Sequence, residues 1–593
     1  MKIPTPGFLF AAFGQVARRF PGALLCAILG SIACFALIDS SSPRDEQGFF
    51  TRNWMICQLG LPFLSALVAY SESKGWEEKR SWILQFSGVL ALLAYWFWLD
   101  PNADDFERVG LPRYLVLVLV AHLMVAVAPY LNARPVRDFW EYNRQIFANI
   151  TVGLAFTLIL YTGLALAILA VDNLFGINLE EKLYAKLYVL LVGIFNTLYF
   201  LFHFPRKFTF ESESGAYSWV FRNLCKYILI PISLLYFIIL YAYGAKIGLE
   251  WSLPKGWVSS LVIGFSVAGI FTYLLNFYLS EEDNSPLVRG FKRWFWWVLL
   301  PLTGMLFIAI GKRIGDYGVT EQRFLVAELG VWLAVTCLYF LFSKNDNLKF
   351  IPISLALFAL AWAFGPLNAF SVSERSQRGI LTNILSQNGC LESGILKPCK
   401  PTLTDPEFEQ VQSTIQFLER RNALADLLPQ PLDSTLLEYN GLMTWLGLEQ
   451  GAKNAHKSLY INASDLTNSL NIKGFDTAYK IDLSPGNMPD RSANSNYFGL
   501  SQNGQLLEYW QQKDGKSTLV ESYSLNTAIQ MWSLKIDHRE DATYAQLPIQ
   551  ERSIELAGKR ASLRLIVEEL EIILDSGAKR LNYCHGWVLV KEK

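Results

Sequence analysis

The chain has 593 residues, 52% of them hydrophobic and only 18% charged, with Lys+Arg and Asp+Glu equal at 52 each. That balance excludes a disordered chain, which needs low hydrophobicity and high charge, and a nucleic-acid binder working through bulk positive charge. Eight cysteines are too few for a disulfide scaffold, so the composition points to a membrane protein with the lipid bilayer as its first partner and nucleic acid excluded.

A bilayer core takes roughly 20 apolar residues per helix. The sequence predicts eleven such runs, over 20–38, 54–70, 82–99, 114–131, 147–171, 187–205, 227–246, 257–279, 295–311, 324–343 and 350–371. All exclude charge except for Glu328 and the terminal Lys246. A soluble core of that size would lack the charged outer faces that soluble helices carry. The first run follows Arg18 and Arg19 and is too long for a cleavable signal, so it reads as an anchor. The expected divisions are a transmembrane bundle over 1–373, a helical linker over 374–450 and a mainly β module over 451–593.

Lys and Arg in alternate loops set orientation. One set of loops, beginning with the N-terminal segment, holds 18 and the other 11. The sequence therefore predicts a bacterial inner-membrane protein with a cytoplasmic N-terminus and, after an odd number of spans, a periplasmic C-terminal region. Trp76, Trp82, Trp140, Trp251, Trp257 and Trp294 fall at predicted helix ends or in short loops, where interfacial rings are favoured.

Some phrases recur. Leu198-Tyr199-Phe200-Leu201-Phe202 returns as Leu338-Tyr339-Phe340-Leu341-Phe342, and Ile230-Pro231-Ile232-Ser233-Leu234 as Ile351-Pro352-Ile353-Ser354-Leu355, with Leu300-Pro301-Leu302-Thr303 a looser copy. The three prolines are expected to open helices, where a missing N–H costs little. An internal repeat of the transporter kind is one reading; chance in an apolar alphabet is the other.

The stretch 227–246 with its Pro231, Tyr236, Tyr241 and Tyr243, the following Trp251 and Pro254-Lys255-Gly256-Trp257, the loop Asp316-Tyr317-Gly318-Val319-Thr320-Glu321-Gln322-Arg323, and Phe364-Gly365-Pro366 ahead of 371–377 occur in order. Together they resemble a bacterial multi-pass inner-membrane family known only as domain of unknown function four-one-five-three. The resemblance runs from Arg-Arg-Phe-Pro at 18–21 to about residue 430. It implies a multi-pass inner-membrane protein and carries no activity or catalytic residues with it.

The region 374–593 holds 23 Lys+Arg and 27 Asp+Glu, a formal balance of −4. Leu403-Thr404-Asp405 reads as a helix start with Glu407 and Glu409 in the first turn. Phe408, Val411, Ile415 and Leu418 form one apolar face, Arg420 and Arg421 stand near the end, and Pro429 and Pro431 stop the helix. A shorter helix is expected over 434–446. Asn503-Gly504 and Asp514-Gly515 read as tight hairpin turns, and 563–567, 570–574 and 587–590 as strands.

His122 is the one titratable group near the middle of a predicted span, and an intramembrane ionisable residue is a functional candidate. A neutral imidazole bonded to a neighbouring helix is the bland alternative. Polar Asn196 would join it in a transport cavity. Glu328 lies four residues inside its run and could form an outward-facing binding site with Lys312, Arg313, Asp316, Glu321 and Arg323, the glycines 311, 315 and 318 letting the loop bend. Ion pairing that fixes an exposed hairpin is the competing account. The acid pairs Asp45-Glu46 and Asp104-Asp105 are the residues a metal-assisted transferase on lipid-linked substrates would use. No phosphate-binding Gly-rich loop, zinc helix or nucleophile elbow is present, so no catalytic residue, metal or cofactor is expected. Cys390 and Cys399 are nine positions apart around Gly394 and Pro398 and are expected to form a disulfide in an oxidising compartment. Cys26, Cys34, Cys57, Cys225, Cys337 and Cys584 read as small apolar or buried thiols.

The expected fold is thus an α-helical polytopic membrane protein of about eleven helices with a C-terminal α+β extracytoplasmic domain. The leading functional reading is a non-enzymatic transporter-like or receptor-like envelope protein engaging an envelope protein or small-molecule partner. The alternative is a membrane-embedded transferase acting on a lipid-linked substrate.

Overall fold

The computed structural model of the protein describes residues 6–40, 44–103, 105–131, 134–177, 179–210, 219–250, 257–343, 346–448, 457–463, 472–485, 496–513, 516–537, 544–575 and 578–593. The chain forms two compact units: residues 1–383 with 413–424, and residues 384–412 with 425–593.

The described secondary structure of the first unit is all helical. Its helices are α1 (Pro6–Arg19), α2 (Pro21–Asp39), α3 (Arg44–Ser73), α4 (Glu78–Trp98), α5 (Leu111–Val127), α6 (Val136–Phe175), α7 (Lys182–Val189), α8 (Thr197–Phe202), α9 (Trp219–Asn223), α10 (Ile230–Glu250), α11 (Trp257–Asn276), α12 (Leu279–Glu282), α13 (Pro286–Tyr317), α14 (Glu321–Phe342), α15 (Phe350–Ala363) and α16 (Ala369–Gln387). The π-helical segments Leu190–Asn196 and Leu224–Leu229 join α7 to α8 and α9 to α10, so each pair makes one continuous span. Among the described residues ten helices are long and apolar enough to cross a membrane. Their outer faces are apolar, as at Leu158 and Ile159 of α6, which are 66% and 70% exposed. Such surface is stable only against lipid. The chain is a multi-pass membrane protein.

The eleventh expected run, 350–371, is shorter in the structure. Helix α15 has 14 residues and ends at Ala363. Phe364 leaves the helix in an extended conformation and Gly365 takes a φ of +87°, which a residue with a Cβ avoids. At 1.5 Å per residue α15 is about 21 Å long, against a hydrocarbon core of roughly 30 Å.

The proline expectation holds for one case and is corrected for two. Pro352 opens α15, but Pro301 lies inside α13 and Pro231 lies within the continuous span Trp219–Leu249. The π segment ahead of Pro231 absorbs its missing N–H by widening the turn. Near Pro301 the Thr303 hydroxyl donates to the Leu299 carbonyl of its own helix at 3.0 Å.

Close packing of α2 on α3 is set by small residues. A Cβ added at Gly30 would stand 2.9 Å from the Cys57 Cβ, and one at Gly60 would stand 2.7 Å from the Cys26 Sγ. At the end of the bundle carrying the Arg-rich loops, Arg19 forks onto Glu72 at 2.8 and 2.7 Å and donates to the carbonyls of Phe204 and Pro205 at 2.9 and 2.7 Å. Buried Phe20, Phe204, Tyr130 and Tyr142 surround that anchor with edge-on ring contacts.

The second unit begins with a two-stranded hairpin, β1 (Leu391–Glu392) and β2 (Ile395–Leu396). The cysteines flanking it, Cys390 and Cys399, are joined by a disulfide with a Cα–Cα distance of 5.0 Å. The first turns of α17 (Asp405–Glu419) follow, Thr404 donating its N–H and hydroxyl to Glu407 at 2.9 and 2.7 Å. Then come the 3₁₀ turns Ala425–Leu427 and Ser434–Leu437, and α18 (Tyr439–Trp445).

The β module contains β3 (Lys457–Ala463), β4 (Thr477–Leu483), β5 (Asn496–Leu500), β6 (Leu506–Lys513), β7 (Lys516–Ser524), α19 (Asn526–Asp537), β8 (Tyr544–Leu547), β9 (Ser553–Ala557), β10 (Ala561–Asp575) and β11 (Ala578–Glu592). One sheet runs β4-β11-β10-β3-β8 with β9 also on β10; the other runs β5-β6-β7. Among the described residues only the β3–β8 pair is parallel. The expected strands 563–567 and 570–574 are a single strand, β10, because a bulge between Val567 and Glu569 bends it without ending the ladder. Gly504 turns between β5 and β6 at φ +65°. Asp514 and Gly515 lie outside the described residues, though the strands flanking them pair up to Lys513 and Lys516. Trp532 and Cys584 sit in the core between α19 and the sheets.

Candidate functional site

Helix α15 packs against α5 on one side and α14 on the other. The three helices leave an apolar groove of about 350 Å³ between them. Leu115 and Leu119 of α5, Leu325 and Glu328 of α14, and Phe358 and Trp362 of α15 line it. Spacings of three and four put each pair on one helical stripe. Glu328 is the single charged residue in this lining, half-buried and without a hydrogen-bond partner among the described residues.

A second cavity, of about 640 Å³, meets the groove where Pro112, Leu325 and Trp362 belong to both walls. Its lining is cationic: Arg108, Arg420 and Arg421 face one carboxylate, Glu321. Arg421 pairs with Glu321 and stacks 5.1 Å from Phe370 and 5.9 Å from Phe417. Both members of the pair are mostly shielded, with side chains 12% and 19% exposed. Glu321 occupies the first turn of α14, where a carboxylate suits the helix dipole. Arg108 donates to the backbone carbonyl of Arg420, while the Arg420 guanidinium has no ion-pair partner among the described residues. Nearby, Arg113 donates to the last carbonyl of α15, Ala363, at 3.2 Å and stands over Phe370 at 5.1 Å. The Trp362 indole N–H, at the junction, is buried without a hydrogen-bond partner.

Of the residues singled out in the sequence, the structure brings Glu321 and Glu328 onto one wall of this paired cavity. Arg323 instead donates to the carbonyls of Tyr317 and Gly318 at 3.0 and 2.9 Å and closes the α13–α14 hairpin. Gly318 needs its φ of +70°, and Gln377 of α16 donates to Tyr317 and Val319 at 3.2 and 3.0 Å, holding the loop. Arg313 and Asp316 stand in the last turns of α13 and Lys312 is exposed beside them; none of the three lines the cavity. His122 is exposed on α5 and engages the Val118 carbonyl of its own helix at 2.8 Å. It lies one turn beyond Leu119 on the groove-side stripe. Asn196 ends a π segment and rests on Gly153 of α6, away from His122's helix. Asp104 and Trp251 lie outside the described residues, as do the side chains of Asp45 and Glu46.

Arg108, Trp362, Arg420 and Arg421 escaped the sequence reading as site residues. Arg420 and Arg421 read locally as basic residues closing a helix. No local signal shows that this helix end returns to the bundle beside Arg108, more than 300 positions earlier.

A cavity of about 1000 Å³ in the β module is a rival site, but both of its carboxylates are already engaged, Glu555 by Arg564 and Glu521 by a turn. Glu521 accepts from the backbone N–H groups of Lys559, Arg560 and Ala561 at 2.5, 3.2 and 3.3 Å and from the Tyr523 hydroxyl at 2.8 Å. Burial opposes its ionisation, yet these donors bring its pKa down to about 2. It fixes the turn between β9 and β10.

The family model described as a domain of unknown function, DUF4153, matches residues 24–386. The uncharacterized protein PM1469 of Pasteurella multocida (strain Pm70) is 23% identical over 346 residues, covering 57% of this chain and 56% of that protein. The chain thus spans about half the length of this curated relative. No solved structure matches.

Proposed function

Starting from the chain's membership of the DUF4153 family, shown by a match over more than half its length, we propose that it is a transporter-like or receptor-like inner-membrane protein that takes an amphiphile from the bilayer. The supporting observation is the continuity of an apolar groove between α5, α14 and α15 with a polar cavity at its end. An apolar body and a polar tip are the two halves such a ligand presents. Glu328, part-way along the groove, offers a polar contact that a hydrocarbon tail alone would not need. The bias of 18 over 11 basic residues supports a cytoplasmic N-terminus, with the cavity and the β module on the periplasmic side. A transferase reading draws no support from the acid pairs, which lie wholly or partly outside the described residues.

The test is photo-crosslinking of the full chain with an amphiphile carrying a diazirine in its tail. Labelling is expected on 115–119 and 325–329, and Leu119→Trp or Leu329→Trp, which fill the groove, should remove it. Uniform labelling of lipid-facing helices such as α6, unchanged by those substitutions, would refute the reading.

A further inference from the structure

We infer that the amphiphile's head is anionic and of the phosphate type, held at the mouth of the groove by Arg108 and Arg420. This rests on the groove reading and adds the chemistry of the head. Glu321 neutralises Arg421, leaving the Arg108 and Arg420 guanidinium groups of the cavity without a carboxylate partner among the described residues. Arg108 spends one N–H on a neutral carbonyl, and the Arg420 guanidinium spends none on the described residues. Each guanidinium has five donors in a planar fork, a geometry that matches phosphate oxygens two at a time. Gln322 and Gln416 add neutral amide groups to the same lining.

Charge placement strengthens the argument. The loops at this end of the bundle are the ones depleted in Lys and Arg, yet Arg108 and Arg113, the basic pair of their loop, both stand at or beside the cavity. Orientation in the membrane does not explain cations there; an anionic ligand does. The depth agrees as well. From Pro112 to Leu119 is seven residues, about 10 Å along α5, so a head at the arginines sets its tail into the groove beside Leu119 and Glu328.

The experiment uses the purified full chain in neutral detergent. Retention of hexadecyl phosphate, hexadecyl phosphocholine and hexadecanol is measured by native mass spectrometry, with inorganic phosphate as a competitor. Hexadecyl phosphate should be retained best, and its retention should fall as salt rises. The double substitution Arg108→Gln with Arg420→Gln should lower it by about tenfold, the scale of losing charge-assisted hydrogen bonds, and leave hexadecanol unchanged. Arg108→Lys with Arg420→Lys should keep most of it, which separates loss of charge from loss of fold. Equal retention of all three heads overturns the anionic head while leaving the groove reading intact. Retention of none overturns both. Displacement by inorganic phosphate at equal concentration would overturn the lipid as the source and assign the site to free phosphate.

Discussion

The Arg421–Glu321 pair stands between aromatic rings with little water, so its energetics are those of a shielded ion pair. Such a pair adds little over an apolar substitute, but removing one partner strands the other charge. Arg421→Ala should therefore lower stability by roughly 1–3 kcal/mol, read as a drop in melting temperature in detergent. Glu321→Gln combined with Arg421→Gln should restore part of it; an additive double variant would show that the two side chains do not interact. Glu521 titrates in the opposite manner to a stranded charge. Its folded pKa lies at about 2, below its ordinary 4.5, so its contribution is complete above that ordinary value and is lost as pH falls toward about 2. Glu521→Gln should make 553–563 more susceptible to proteolysis in the intact chain at pH 7, and the difference from wild type should shrink toward pH 3. A constant difference would mean that the charge is not what holds the turn. Glu328 was legible from the sequence because one charge in an apolar run needs no partner to be noticed. Arg108, Trp362 and Arg420 were not, because their roles exist only where distant parts of the chain converge.

At the scale of elements, apolar length fixed the spans well and prolines located helix starts poorly. A proline removes only one hydrogen bond of a long span, so helices continue through Pro231, with a π turn ahead of it, and through Pro301. The β10 strand was read as two because its bulge interrupts the alternation on which a strand is recognised. Helix packing was not legible at all: Gly30 and Gly290 look alike in the sequence, yet a Cβ at Gly30 would meet Cys57 at 2.9 Å and one at Gly290 would meet nothing within 4 Å. Gly30→Ala should push α2 from α3 and cost roughly 1–3 kcal/mol. Gly290→Ala, inside α13, should be neutral or stabilising by up to about 1 kcal/mol. Equal melting temperatures for the two variants would contradict the packing of α2 on α3.

For the whole molecule, topology depends on how α15 is counted. Ten longer helices alone would return the C-terminus to the side of the N-terminus; α15 as an eleventh crossing puts it on the other. The bias of basic residues between alternate loops favours the second arrangement, so alkaline phosphatase fused after Lys593 should be active. The Cys390–Cys399 bridge should then appear as a linked peptide on non-reducing mapping of protein from intact membranes. An inactive, stable fusion together with free thiols at both positions would reverse the assignment. Multi-pass character was fully visible in composition and run length, while the pairing of groove and cationic cavity required α5, α14, α15 and the end of α17 to meet.

Hydrophobic mismatch follows from the brevity of α15. Its 14 residues cover about 21 Å of a hydrocarbon layer roughly 30 Å thick, and a bilayer meets such a deficit by thinning or by dipping its headgroups beside the short helix. Such thinning along the face where the groove opens would bring lipid phosphates nearer the proposed head-group site at Arg108 and Arg420. Ligand retention should consequently be greatest in nanodiscs of short-acyl lipids and decline as acyl length increases, whereas a flat dependence on thickness would show that α15 does not deform the membrane.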